Sequence, residues 1–77
     1  MSAIVTVDGL TYTGTIDRQS QLGRPVVIVC SDGNRWDGEW DIEFDFISLD
    51  QGEMPDAAKT ALDTALAEAC AAERRRH

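Results

Sequence analysis

Trp36-Asp37-Gly38-Glu39-Trp40-Asp41-Ile42-Glu43-Phe44-Asp45-Phe46 alternates without interruption. Trp36, Gly38, Trp40, Ile42, Phe44 and Phe46 share one parity, and Asp37, Glu39, Asp41, Glu43 and Asp45 share the other. Only a repeat of two separates apolar from charged residues this cleanly, so the stretch reads as a β-strand, centred on Glu39–Ile47, with one face in the core. Full burial of a large apolar side chain contributes ~1.5–3 kcal/mol, which makes the apolar parity a main source of stability in a small domain. The carboxylate parity must then face water or a partner.

Working back toward the N-terminus, Val26–Cys30 is a β-branched run too short for a helix. Pro25 precedes it and the turn residues Ser31-Asp32-Gly33-Asn34 follow, which predicts a third strand in the middle of the sheet. Ala3–Val7 and Leu10–Ile16 flank Asp8-Gly9, a pair that tolerates positive φ and suits a two-residue hairpin turn. The implied register sets Val7 against Leu10, Val5 against Tyr12 and Ala3 against Gly14, with Thr11, Thr13 and Thr15 on the opposite face. Asp17–Arg24 is polar and reads as a wide connection, the segment expected to move most.

After a polar connector over Ser48–Met54, Pro55 suits the first position of a helix and Asp56 its N-terminal dipole. Met54, Ala58, Ala61, Leu62, Ala65, Leu66 and Ala69 form a stripe at helical spacing, with Lys59, Asp63, Thr64 and Glu68 turned outward. The helix is predicted from Pro55 to Arg74, and Arg74-Arg75-Arg76 offset its C-terminal dipole. The order β-β-β-β-α predicts an α+β fold: an antiparallel sheet of about four strands with one C-terminal helix packed on one face. The 77 residues form a single domain, residues 1–77, without internal repeat or linker.

The chain carries 14 acids and 7 bases, a net charge of −7. Between Asp32 and Asp56 there are nine acids and a single base, Arg35. Such a field repels nucleic acid and anionic membranes and attracts basic protein surfaces. No apolar run reaches the ~20 residues that span a bilayer, and the N-terminus has no signal-peptide pattern, so a cytoplasmic protein is expected. Cys30 and Cys70 have no metal-site spacing and read as two buried free thiols.

Catalytic groups are scarce. The single histidine is His77, beside three arginines at a fraying end, which argues against Ser–His or Cys–His chemistry. Paired carboxylates serve glycoside hydrolysis only within a cleft, and a sheet with one helix offers little concavity. The stretch from Asp32 to Glu43 fails as a calcium loop, because Trp36 stands where a ligand is needed and Asp37 where the turn requires glycine. No catalytic residue, metal ligand or cofactor is therefore assigned, and no small-molecule substrate is expected. Trp36 and Trp40 could form a stacking platform, but both lie on the apolar parity and read as core, Trp40 more fully than Trp36.

The acidic parity remains. Residues i and i+2 of a strand lie ~6.6–6.8 Å apart, so Glu39, Asp41, Glu43 and Asp45 would present four charges in a row over about 20 Å. A solvated sheet face usually mixes both signs, whereas this row has no interrupting base. Regularly spaced acids imitate the charge of a phosphate backbone. The row therefore predicts a non-enzymatic inhibitor that blocks a basic, nucleic-acid-binding protein surface through Asp37, Glu39, Asp41, Glu43 and Asp45, with Asp32 and Asp50 at the rim.

In length, charge, β-rich front and alanine-rich helix, and in the acids Asp37 to Asp45, the chain resembles the small acidic inhibitors encoded by phages and mobile elements, including type I anti-CRISPR proteins. The resemblance is one of character and includes no diagnostic motif. It implies a host-cytoplasmic protein that interferes with DNA binding by a surveillance complex. Two alternatives stand beside it. One is a structural or assembly component of a phage or mobile element that self-associates through Thr11, Thr13, Thr15 or the sheet edge; the other is a small hydrolase using Asp41 or Glu43.

Overall fold

The computed structural model describes residues 1–17 and 23–75. Five strands, β1 (Ser2–Val7), β2 (Leu10–Ile16), β3 (Pro25–Cys30), β4 (Arg35–Asp41) and β5 (Phe46–Leu49), precede one helix, α1 (Asp56–Arg74). The strands form an antiparallel meander in the order β1-β2-β3-β4-β5, with β3 at the centre. The architecture is the expected α+β arrangement of an antiparallel sheet with a C-terminal helix on one face.

The first hairpin has the register that Asp8-Gly9 dictates, with Val7 opposite Leu10, Val5 opposite Tyr12 and Ala3 opposite Gly14. Asp8 and Gly9 both take positive φ, 52° and 79°, as a turn that follows the strand twist requires. Most of the expected connection Asp17–Arg24, residues 18–22, and the final Arg76 and His77 lie outside the described residues.

One face of the sheet closes over α1. Tyr12, Ile16, Val26, Ile28, Cys30, Trp40 and Ile47 project from the strands onto Met54, Ala58, Leu62 and Leu66, and all are buried. Gly14 makes room here, because a Cβ at that position would reach Leu62 Cδ2 at 3.3 Å and Leu66 Cδ1 at 3.4 Å. Trp40 is core and Trp36 half-buried against Tyr12, with ring centroids 6.2 Å apart, as their places along the strand suggested. Both cysteines are free; Cys30 is buried, while Cys70 is half-buried, not fully so, with its thiol 3.3 Å from Met1 Sδ.

The deciding stretch departs from expectation at its midpoint. The strand stops at Asp41, turns through residues 42–45 and returns as β5, so the sheet gains a fifth strand. Asp41 Oδ1 accepts hydrogen bonds from Glu43 N at 2.8 Å and Phe44 N at 3.2 Å, and Asp45 N donates to Asp41 O at 2.9 Å. An aspartate that bonds backbone amides two and three residues on offers the chain a turn in place of a strand ladder. Asp45, at φ 55°, completes the reversal. Asp41 then pairs with Phe46 and Trp40 with Ile47, and the buried parity changes from even to odd. Ile47 enters the core, whereas Ile42 and Phe44 are 60% and 69% exposed.

Two corrections concern the helix. Pro55 is its N-cap, not its first helical residue. Asp63 and Lys59, expected on the outer face, are half-buried beside β5. Asp63 Oδ1 accepts from Ile47 N at 2.9 Å, and its Oδ2 meets Lys59 Nζ at 2.7 Å. In the β4–β5 ladder the Ile47 amide points away from β4, as the bond from Asp50 N to Asp37 O fixes. The helix thus caps an amide on the sheet's free edge.

Candidate functional site

The sheet face turned away from α1 has two halves. Ile4, Thr6, Thr11, Thr13, Thr15, Val27 and Val29 from β1, β2 and β3 make an uncharged half. Asp37, Glu39 and Asp41 from β4 begin the acidic half, and Asp50 lies beside Asp37 just beyond β5. Parity places the acids: once Trp40 and Gly38 face the helix, their neighbours must face outward.

The row of four acids on one strand is not present. Its in-line part is Asp37, Glu39 and Asp41, spanning about 13 Å. Glu43 and Asp45 belong to the turn beyond, both exposed, and no longer continue the spacing. The reason is the Asx turn at Asp41, which also gives that carboxylate a structural task. Asp37 is exposed and pairs with Arg35 Nη2 at 3.2 Å, a surface ion pair that contributes ~0–1 kcal/mol. Glu39, opposite Ser48 on one side and Pro25 on the other, is exposed and close to Gly23, whose added Cβ would lie 2.8 Å from Glu39 Oε1. Like charges held on one face repel, and apart from Arg35 no base of β4, its turn or β5 relieves the repulsion.

Asp32 stands apart at the β3–β4 turn. Its Oδ1 accepts from Asn34 N at 2.9 Å and its Oδ2 from Asn34 Nδ2 at 3.0 Å. These bonds, the backbone amide of Asn34 foremost and the Cys30 side chain next, hold its carboxyl below the usual aspartate value of 3.8. It shapes a turn and does not extend the β4 row.

The turn contributes a feature that alternation concealed. Ile42 and Phe44 project into solvent among Glu43 and Asp45, and Phe46, 38% exposed, lies 6.4 Å from Phe44 between ring centroids. Lys59 Nζ sits 5.4 Å from the centroid of the Phe46 ring, a cation–π contact made by the same lysine that pairs with Asp63. The adjacent apolar residues Phe46 and Ile47 were the available signal, since two neighbouring core-type residues cannot both face one side of a strand.

No family model, curated protein or solved structure matches this chain. The surface must therefore be read from its own chemistry. Among the described residues, no group of three His, Cys, Asp or Glu side chains is placed to hold a metal ion. One depression, of about 180 Å³, lies at one end of the sheet and is lined by Trp40, Ile42, Arg24, Asp45 and Arg74, and a wider one, of about 680 Å³, lies along α1 from Asp56 to Glu68. Among the described residues no helix is long and apolar enough to cross a membrane. The largest chemically distinctive feature is the acidic half-face and the apolar turn that ends it.

Proposed function

We propose that this protein is a non-enzymatic inhibitor that docks its acidic β4–β5 side on a basic, nucleic-acid-binding surface of another protein and blocks it. The observation that carries the reading is an acidic surface, relieved at Asp37 by Arg35, that surrounds exposed apolar side chains. Asp37, Glu39, Glu43, Asp45 and Asp50 are exposed, and Ile42 and Phe44 stand among them. Charge of one sign steers encounter and selects a basic partner, while fully desolvated apolar anchors supply most of the affinity of a typical interface. The turn is held by Asp41 before any partner arrives, so little ordering entropy is lost on docking. The resemblance to type I anti-CRISPR proteins makes a DNA-binding surveillance complex the target to test first.

The test measures DNA binding by a type I surveillance complex with and without this protein across a salt series. Inhibition that weakens steeply with salt is expected, because the contact depends on charge. Glu39→Lys combined with Glu43→Lys should abolish inhibition and leave the circular dichroism spectrum unchanged, since neither carboxylate bonds the turn. Phe44→Ser should weaken inhibition at every salt concentration. Inhibition indifferent to both changes would refute the proposed surface.

A further inference from the structure

The two edges of the sheet are treated differently. On β5, a strand of four residues, Asp63 caps the outward amide of Ile47. On β1, Met1 and Ile16 exchange backbone bonds in both directions, Ile16 N to Met1 O at 2.7 Å and the Met1 ammonium to Ile16 O at 3.3 Å. Antiparallel ladders alternate, so Ala3, Val5 and Val7 point their amides at β2, while Ser2, Ile4 and Thr6 point theirs outward. Among the described residues no group bonds those outward amides. Natural sheets guard such an edge with charge, proline, a bulge or a short strand. β1 has six residues and none of these devices.

We propose that β1 pairs with β1 of a second copy of this chain across a two-fold axis at Ile4, joining the two sheets into one. The register that uses every outward group sets Ile4 opposite Ile4 and Ser2 opposite the second copy's Thr6. Three observations select a second copy as the occupant. First, residues 1–7 carry no charged side chain, and in the sheet order β2 and β3 separate β1 from the acids Asp37, Glu39 and Asp41 of β4. A two-fold axis at β1 therefore keeps the two β4 acidic rows apart, although each copy carries −7. Second, Ile4 is 66% exposed on the uncharged half of the open face, and the pairing would cover it with its own equivalent. Third, α1 packs most closely on β1, and an exposed stretch of the helix is lined by the small residues Ala57, Thr60, Ala61, Thr64 and Ala65 between Asp56 and Glu68. The small side chains let the helices of two joined sheets approach on the same side, with Asp56 and Glu68 at the two ends of that stretch, and this adds side-chain burial that strand pairing alone lacks.

Sedimentation equilibrium and amide hydrogen exchange on the full chain test the pairing. A concentration-dependent dimer is expected, with exchange at Ser2, Ile4 and Thr6 slowing as the dimer forms while Ala3 and Val5 stay protected throughout. Ile4→Lys sets like charges opposite each other and should weaken dimerisation about tenfold or more. Val29→Lys, on the same face but on the central strand, should leave it unchanged, and equal melting temperatures would show that both variants fold. A strict monomer into the millimolar range overturns the proposal and leaves the edge to a strand of another protein. A dimer insensitive to Ile4→Lys, with the three amides still exchanging fast, overturns it equally and moves the interface elsewhere.

Discussion

Replacing Gly38 by alanine should do more damage than any other change of one methyl group. Gly38 lies on the buried face of β4 between Trp36 and Trp40, opposite Leu49 of β5. A Cβ there would overlap the Ser48 carbonyl oxygen and lie 3.1 Å from both Ser48 C and Leu49 Cα. All three atoms are backbone, so no rotamer change can relieve the contact and β5 must move away from β4. Over-packing costs about 1–3 kcal/mol even where side chains can adjust, and the upper end applies here, ~3 kcal/mol. A domain of this size is stabilised by only about 4–11 kcal/mol, and each kcal/mol shifts Tm by ~4–8 °C, so a fall of roughly 12–24 °C is expected. Thermal unfolding followed by tryptophan fluorescence measures it, since both tryptophans flank the site. Gly14→Ala is the control. Its Cβ meets only the methyl groups of Leu62 and Leu66, which can shift, and the expected cost is below about 1 kcal/mol. Equal melting temperatures for Gly38→Ala and the native protein, or equal losses in the two variants, would refute the reasoning.

Three further outcomes follow from individual bonds. Asp63→Ala removes the acceptor of the Ile47 amide and the partner of Lys59; it should cost about 1–2 kcal/mol, the lower part of the range for a charged acceptor that keeps some contact with water, and should speed exchange at Ile47. Burial, followed by the neighbouring Cys30, pushes the Tyr12 phenol above its usual 10.0. The unfolded chain ionises first, so stability should fall as pH rises through about 10, and absorbance at 295 nm reports this single tyrosine directly. Asp32 has the opposite sign: its carboxyl is held below 3.8, so its contribution is full above that value and is lost as pH falls through the lower folded-state value. Asp32→Ala should flatten that part of an acid-unfolding curve.

Alternation located the sheet correctly and misplaced its end. The register from Val7 to Ala3, the central place of β3, the burial of Trp40 and the stripe of Ala58, Leu62 and Leu66 were legible because each follows from local periodicity or turn chemistry. The break at Asp41 was not, because a period of two continued through Phe46 while a local side-chain bond favoured a turn. The outcome depended on what only the tertiary structure supplies: a slot beside Gly38 for β5 and a buried place for Ile47 opposite Trp40. The acidic surface was legible as a concentration of charge. Its shape was not, since the turn detached Glu43 and Asp45 from the strand and brought out Ile42 and Phe44. Asp63 was misjudged for a similar reason: helical spacing places a residue on a flank, and only the neighbouring strand decides whether that flank meets water or an unpaired amide.

The meander order has a consequence for biosynthesis. Each strand pairs with the one made just before it, so the sheet can zip together as it leaves the ribosome without waiting for distant sequence. Its inner face must wait. Tyr12, Val26, Ile28, Trp40 and Ile47 stay uncovered until Ala58, Leu62 and Leu66 have been synthesised, and the nascent sheet then resembles an open, sticky half-shell. The run of acids from Asp32 to Asp56 emerges during that interval, when neighbouring ribosomes would otherwise bring such half-shells together. The charge that sets this protein's surface would then also keep its unfinished copies apart.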